Sequence, residues 1–270
     1  MTTPLLEDAK FIDSLSGTFA PHAHPCYEVL YLKMGTLIIH VAQRVYTVNA
    51  PSLIFVSKFE QHSLTVEGDA YQRYYLCISP TAAEAMIRDY TLLTVLSHRP
   101  ENFCHVLDVT PLENEIDRIF DACVNEVKTP LPYTNQRQAA LISELLILLF
   151  RFAPSLFSME KAKTISVIWK IQSELEANCR ESFSLNRLAE QYHMSPYYLS
   201  HLFKDVTGYS VMQYLTLSRL SLARQKLLET DLPVTEIVYA SGFSDCSNFS
   251  RLFKREMHLS ATEYRKEHKT

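Results

Sequence analysis

The chain writes one short phrase twice. In "YYLSHLFK" and "NFSRLFK", Leu199, Ser200, Leu202, Phe203 and Lys204 recur as Phe249, Ser250, Leu252, Phe253 and Lys254, at a constant offset of 50 residues. A repeat at fixed spacing means that one small supersecondary unit is built twice. The spacing of Leu199, Leu202 and Phe203, and of Phe249, Leu252 and Phe253, puts each triplet on the buried face of a helix. Any fold for this part of the chain must therefore present two similar amphipathic helices.

Each phrase helix has a short helix before it. In the first copy, "SLNRLAEQY" starts at Ser184, a hydroxyl suited to capping a helix N-terminus. A tight turn at His193–Met194 follows, and the next helix opens at Ser195–Pro196, with proline in its favoured first position. In the second copy, "PVTEIVYASGF" runs to Gly242, which can take the left-handed conformation that ends a helix, and the next helix opens at Ser244–Asp245. Helix, short turn and helix make a helix-turn-helix unit, placed here at about 184–207 and 233–257. Upstream of the phrase the offset is 49 (Leu188 to Ile237, Met194 to Phe243), which predicts one extra residue near the start of the second phrase helix. Between the units, "SVMQYLTLSRLSLARQKLLET" reads as one helix, roughly 30 Å long at 1.5 Å per residue. One turn of B-DNA is about 34 Å, so a rigid spacer of this length suits two helices entering successive major grooves.

The run from "LAEQYHMSPYYLSHLFKDVTGYSVMQYL" to "GFSDCSNFSRLFKREMHLSATEYRK" resembles the DNA-binding domain of AraC/XylS-type transcription regulators over about 80 residues. His193 stands where the family usually has Gly, and Ala261 where proline is common. The resemblance implies promoter DNA as partner and puts Tyr197, Ser200 and His201 at base-facing positions. In the second unit the exposed positions are Cys246, Ser247, Asn248 and Arg251; Arg can pair bidentately with guanine and Asn with adenine. Lys204 and Lys254 suit phosphate contacts, and Arg219 either a phosphate contact or an internal pair.

The first 105 residues read differently. "YEVLYLKMG", "TLIIHVAQRVYTV", "SLIFVS" and "YQRYYLCIS" are β-rich runs separated by turn residues, the pattern of a sandwich or small barrel. "TAAEAMIRDYTLLTVL" interrupts them as one short helix. His22, His24, Glu28 and Gly35 follow the order H-x-H-x3-E-x6-G, which resembles the first cupin motif, and His62 stands near a third ligand position. Two readings follow from that resemblance. The four side chains His22, His24, Glu28 and His62 could hold Fe, Mn, Ni or Zn, which would make the protein a metal sensor or a metal-dependent cupin enzyme fused to a DNA-binding module. Alternatively they are barrel framework around an organic effector, with no cofactor; Ser52, where the second motif prefers Gly, favours this reading. His24, Tyr27, Tyr31, His40, Tyr46 and His62 are the candidate effector contacts.

From about 111 to 153 the period becomes helical. Leu112, Ile116, Ile119, Phe120, Cys123 and Val124 form one stripe, and "TNQRQAALISELLILLFRF" is apolar over much of its girth, which suits packing on the core or a homodimer contact. The expected architecture is thus an N-terminal all-β cupin-like barrel (1–108), a helical dimerisation region (109–157), a short linker at Pro154 and the serines after it, and an all-α double helix-turn-helix domain (161–270).

Charge fits this division. Residues 1–159 carry 11 Lys and Arg against 17 Asp and Glu, a balance of −6, and residues 160–270 carry 15 against 13, a balance of +2, giving the net −4. "MTTPLLEDAK" lacks the basic-then-apolar pattern of a signal peptide, and the apolar run "LLILLF" is too short to span a bilayer. Six cysteines without a CxxC pair suggest reduced thiols. The sequence therefore reads as a cytoplasmic, non-enzymatic regulator with no membrane partner. Its partners are promoter DNA, a small-molecule effector, a second copy and, if it activates, RNA polymerase.

Overall fold

A computed structural model describes residues 4–13, 18–100, 102–158 and 162–268. The chain divides into two compact units, Met1–Ile165 and Ser166–Thr270. Of the linker read after Pro154, residues 159–161 lie outside the described residues.

The first unit is built on one antiparallel sheet of seven strands: β1 (Leu6–Ile12), β2 (Thr18–His22), β3 (Tyr27–Val41), β4 (Arg44–Asn49), β5 (Ser52–Val56), β6 (His62–Ile78) and β7 (Val106–Asp108). Its order is β1-β6-β3-β5-β7, with β2 on the far half of β6 and β4 on the far half of β3. The expected cupin-like β unit is present, with its sheet open rather than closed into a barrel, and its two long central strands pair with each other and each with two further strands. It nevertheless folds over a single core, because Leu30 and Leu32 of β3, Leu37, Ile39 and Val41 beyond the bend, Val48 of β4, Ile54 and Val56 of β5, and Leu64 and Tyr71 of β6 gather in one buried cluster. Gly35 makes the bend possible. It sits in β3 at φ +94°, at a break in the β3–β6 register, and a Cβ there would lie 2.1 Å from the Ala70 carbonyl oxygen. The sequence runs "YEVLYLKMG" and "TLII" are therefore one continuous strand.

Helices cover the other face of the sheet. The expected single helix near residue 85 is two, α1 (Pro80–Met86) and α2 (Tyr90–Ser97), because Asp89 caps the second by accepting from the Thr91 N–H at 2.9 Å. Then come α3 (Glu113–Lys128) and α4 (Thr134–Phe152). The α3 stripe is buried as its period requires, at Ile116, Ile119, Phe120, Cys123 and Val124. Lys33 donates to Asp117 at 2.8 Å and the Tyr74 hydroxyl to Asp121 at 2.6 Å, tying α3 to the sheet.

Cys26 and Cys77 form a disulfide, which corrects the expectation of reduced thiols throughout. They are 51 residues apart in sequence, and the β3–β6 pairing brings them together.

The helix α5 (Ala162–Ala177) crosses the division and lies mostly in the second unit, which continues with α6 (Leu185–Gln191), α7 (Pro196–Thr207), α8 (Val211–Glu229), α9 (Val234–Ala240), α10 (Cys246–Met257) and α11 (Ala261–His268). The expected caps are in place: Ser184 accepts from the Arg187 N–H, Ser195 from Tyr198, and Asp245 from Ser247 and Asn248. Ser210 and Gln213 form a reciprocal capping box at the start of α8.

Candidate nucleic-acid interface and sensor site

The helix-turn-helix units are α6–α7 and α9–α10. Both phrase helices have 12 residues, so the extra residue implied by the change of offset does not lie in the second helix. It lies in the turn, which is 192–195 in the first unit and 241–245 in the second. The turns otherwise correspond: the Met194 N–H donates to Ala189 and the Phe243 N–H to Val238, both one residue past a left-handed position, His193 at φ 53° and Gly242 at φ +88°. Ser244 is the inserted residue that precedes the cap Asp245.

Each phrase helix turns its core triplet inward, with Val206 joining it on α7, while Leu202 and Leu252 are half-buried. Phe203, Phe249 and Phe253 are fully buried, and Leu199 with them. On α7, Tyr197 is 74% exposed and Tyr198 53%; His201 and Lys204 are exposed and Ser200 half-buried. The His201 ring lies 4.0 Å from that of Tyr197 and its Nδ1 bonds the Tyr197 carbonyl at 2.8 Å, which fixes the pair as one surface. On α10, Ser247, Asn248, Arg251 and Lys254 are exposed and Cys246 is half-buried. Arg251 donates to Asn248 Oδ1 at 3.0 Å, so two groups able to read base edges are held side by side. Tyr198 and Arg255 are also exposed and were not singled out from the sequence, and Ser250, the repeat counterpart of Ser200, is exposed with them.

Arg219 is elsewhere. Its Nε donates to the Cys179 carbonyl at 2.7 Å and its Nη2 to Glu181 at 3.0 Å, bracing α8 against the end of α5. The phosphate contact read for it is corrected: an arginine committed to two backbone carbonyls is a structural brace.

In the first unit, strand alternation sorts the candidate effector contacts. Glu28, Leu30 and Leu32 face the inner core, so Tyr27 and Tyr31 face the other way. Tyr31 packs on Phe120 of α3, ring centroids 5.3 Å apart. His40 lies between the inward Ile39 and Val41 and is exposed. These three are corrected as inner-face contacts. His24, Tyr46 and His62 remain, each in a polar network on the inner side.

The first network is the histidine cluster. His22, His24 and His62 place ligand atoms within 4.8 Å of one another. Each ring bonds a backbone carbonyl through Nδ1: His22 to Ala20 at 2.9 Å, His24 to Cys26 at 3.1 Å and His62 to Glu60 at 3.0 Å. Nε2 of His24 and of His62 then meets Glu28 Oε2 at 3.2 and 3.0 Å. Burial alone would raise the Glu28 pKa, but hydrogen bonds from His24 and His62 hold it well below the usual carboxylate range. His62 is lowered by its own burial, yet its bond to Glu28 leaves it raised overall. His22 is lowered by burial and by His62.

The second network was not read from the sequence. Glu60 accepts from His105 Nε2 at 2.9 Å, from Arg99 Nε at 3.2 Å and from the Ser57 N–H at 2.8 Å, and the Tyr46 hydroxyl meets His105 Nδ1 at 3.0 Å. Burial would raise the Glu60 pKa, but the Arg99 charge and the His105 bond bring it to about 2. Glu60 lies 39 residues from Arg99 and 45 from His105, and Tyr46 lies 59 from His105, so no local spacing announces them.

Two family models match the chain, one in each part. That of the AraC-like ligand binding domain matches residues 16–150, and a helix-turn-helix domain model matches 188–267. The chain belongs to the AraC family. As an AraC-family member it is a transcription regulator with an N-terminal ligand-binding domain and a C-terminal DNA-binding domain. Among curated relatives, the HTH-type transcriptional activator RhaS of Escherichia coli is 26% identical over 255 residues, covering 92% of this chain and 87% of RhaS. RhaS of Salmonella schwarzengrund is 28% identical over 256 residues, covering 92% and 88%. Among solved structures, ToxT of Vibrio cholerae superposes with a TM-score of 0.65 at 16% identity, covering 97% of each chain. ToxT with bound unsaturated fatty acid gives 0.63 at 14% identity, covering 95% of this chain and 93% of that one. At these identities the structural likeness concerns the fold. No helix among the described residues is long and apolar enough to cross a membrane.

Proposed function

We propose that the protein is a homodimeric cytoplasmic activator, not an enzyme, that reads two major-groove segments with α7 and α10 and responds to a small organic effector held on the inner face of its β unit. The observation that carries this is a pair of equal helices with exposed polar faces, joined by the 19-residue α8, which is about 28 Å long. Tyr197, Ser200 and His201 read the first segment, and Cys246, Ser247, Asn248 and Arg251 the second, while Lys204 and Lys254 set register on phosphates. The relatives' naming as activators supports activation, and with it a contact to RNA polymerase. The apolar Ile147, exposed on α4 opposite its buried leucines, supports a second copy as partner. An effector needs only to favour one arrangement of the protein over another, so no turnover is required. The test is selection of operator sequences from random duplexes by the full chain. A two-part consensus is expected, and recovery of no consensus refutes the reading.

A second reading has one observation of its own. With Nδ1 of all three histidines turned to carbonyls, His24 and His62 each face two acceptors, whereas a neutral imidazole has one N–H. A divalent ion held by Nε2 of His22, His24 and His62 and by Glu28 would resolve this, and the donor set fits Fe, Mn, Ni or Zn. Elemental analysis of the purified protein decides it: a stoichiometric metal lost in His62→Ala supports a metal sensor, and no metal removes it.

A further inference from the structure

The inner face of the sheet holds a cation without a counter-ion. Tyr71, Arg73 and Tyr75 alternate along β6 and share one face, with Leu32 opposite Arg73 on β3 and Ile12 opposite it on β1. Arg73 is 5% exposed and Tyr71 3%. Among the described residues the Arg73 guanidinium makes no hydrogen bond or ion pair, its Nε is buried without a partner, and so is the Tyr71 hydroxyl. What surrounds it is aromatic: ring centroids of Phe19, Tyr71 and Tyr75 lie 4.6, 5.9 and 6.0 Å from its Cζ.

The half-buried cations Arg99, Lys33 and Arg44 of this unit all have oxygen partners. Arg99 bonds Glu60 and the carbonyls of Val95, Leu96 and His98; Lys33 bonds Asp117; Arg44 bonds the Phe103 carbonyl. The carboxylate of Asp8 is already engaged, by the Tyr75 hydroxyl at 2.6 Å and by Lys10 at 3.1 Å. Ring faces attract a guanidinium, but they do not supply the acceptors that a buried charge needs.

Resting on the assignment of an effector to this inner face, we propose that Arg73 and Tyr71 form its anion-recognition element and that the effector is a small organic monocarboxylic acid. A guanidinium fork matches a carboxylate with two parallel hydrogen bonds, and the Tyr71 hydroxyl can donate a third. Asp8 and Lys10 offset each other, so Arg73 is the one uncompensated charge here; a single negative charge neutralises it, which selects a monoanion. The rings of Phe19 and Tyr75 and the side chains of Leu32 and Ile12 then receive an apolar body.

The test is calorimetric titration of the full chain with hexanoate and 3-phenylpropanoate, each against its primary amide, with operator affinity measured on the same samples. At least one acid is expected to bind and its amide to bind at least tenfold more weakly. Arg73→Met is expected to lose at least tenfold in affinity for the acid, and Arg73→Lys, which keeps the charge without the fork, to retain part of it. Acids that bind Arg73→Met as tightly as wild type overturn the proposal. So does failure of both acids to bind wild type. Amides binding as tightly as acids would overturn the carboxylate while leaving an inner-face effector standing, and wild type that binds no operator with or without acid would instead sink the regulator reading itself.

Discussion

Gly242 is where the second helix-turn-helix unit is most tightly specified. It sits at φ +88°, and an added Cβ would lie 2.8 Å from Arg180 Cα, 2.9 Å from the Cys179 carbonyl oxygen and 3.0 Å from Arg219 Nε. Two of these are backbone atoms, and the third belongs to the arginine already bonded to Cys179. Gly242→Ala therefore incurs a left-handed backbone penalty of about 1–2 kcal/mol and an overpacking cost of roughly 1–3 kcal/mol. Gly208, the left-handed cap of α7 at φ +78°, is the internal control, since nothing lies within 4 Å of its Cβ position. Gly208→Ala should incur only the backbone penalty, partly offset by about 0.4–1 kcal/mol from the stiffer unfolded chain. The chain's single tryptophan makes the comparison readable. Trp169 is buried on α5 in the same unit, so its fluorescence during urea unfolding reports on that unit. Gly242→Ala should shift the midpoint substantially further than Gly208→Ala. Equal shifts would refute the close approach of the turn to the α5 end.

Other predictions follow the same logic. Glu60 has its pKa depressed from 4.5 to about 2, so its stabilisation is present above pH 4.5 and is lost as pH falls toward 2. Glu60→Gln should cost about 3 kcal/mol at neutral pH and flatten the acid limb of stability, measured by circular dichroism. His62, raised from 6.5, acts in the opposite sense: its contribution is full below pH 6.5 and fades as pH rises through its folded value. Thiol titration of the oxidised, denatured protein should find the four free cysteines Cys104, Cys123, Cys179 and Cys246, and six would contradict the Cys26–Cys77 bond. Arg251→Ala should lose about 1–3 kcal/mol of operator affinity with relaxed preference at one position, whereas Lys204→Ala should weaken all sequences alike and reduce the salt slope.

The C-terminal unit was legible because its determinants are local. Ser184, Ser195 and Asp245 act on N–H groups two or three residues away, and the core triplets follow the helical period. Even there the repeat's register misled by a few positions, because an offset of 49 followed by 50 cannot say whether the insertion falls in the helix or in the turn. The β unit was legible in kind but not in plan. Reading β3 as one strand depends on Gly35 meeting Ala70, and the inward or outward choice for Tyr31 and His40 depends on the register break there. Arg73 lies in "YQRYYLCIS", where it looks like an ordinary polar residue of an alternating strand. Only its burial and its missing partner distinguish it, and both are properties of the folded sheet. The Glu60–Arg99–His105 network and the Cys26–Cys77 bond were hidden for the same reason: long-range pairing assembles them.

The most direct test of the central claim is guanine N7 methylation protection on a selected operator, since that atom lies in the major groove. Two protected clusters on one face of the duplex, about 10–10.5 base pairs apart, are predicted, with Arg251→Ala losing one cluster and keeping the other. A single cluster, or loss of both together in that variant, would contradict two recognition helices set by α8.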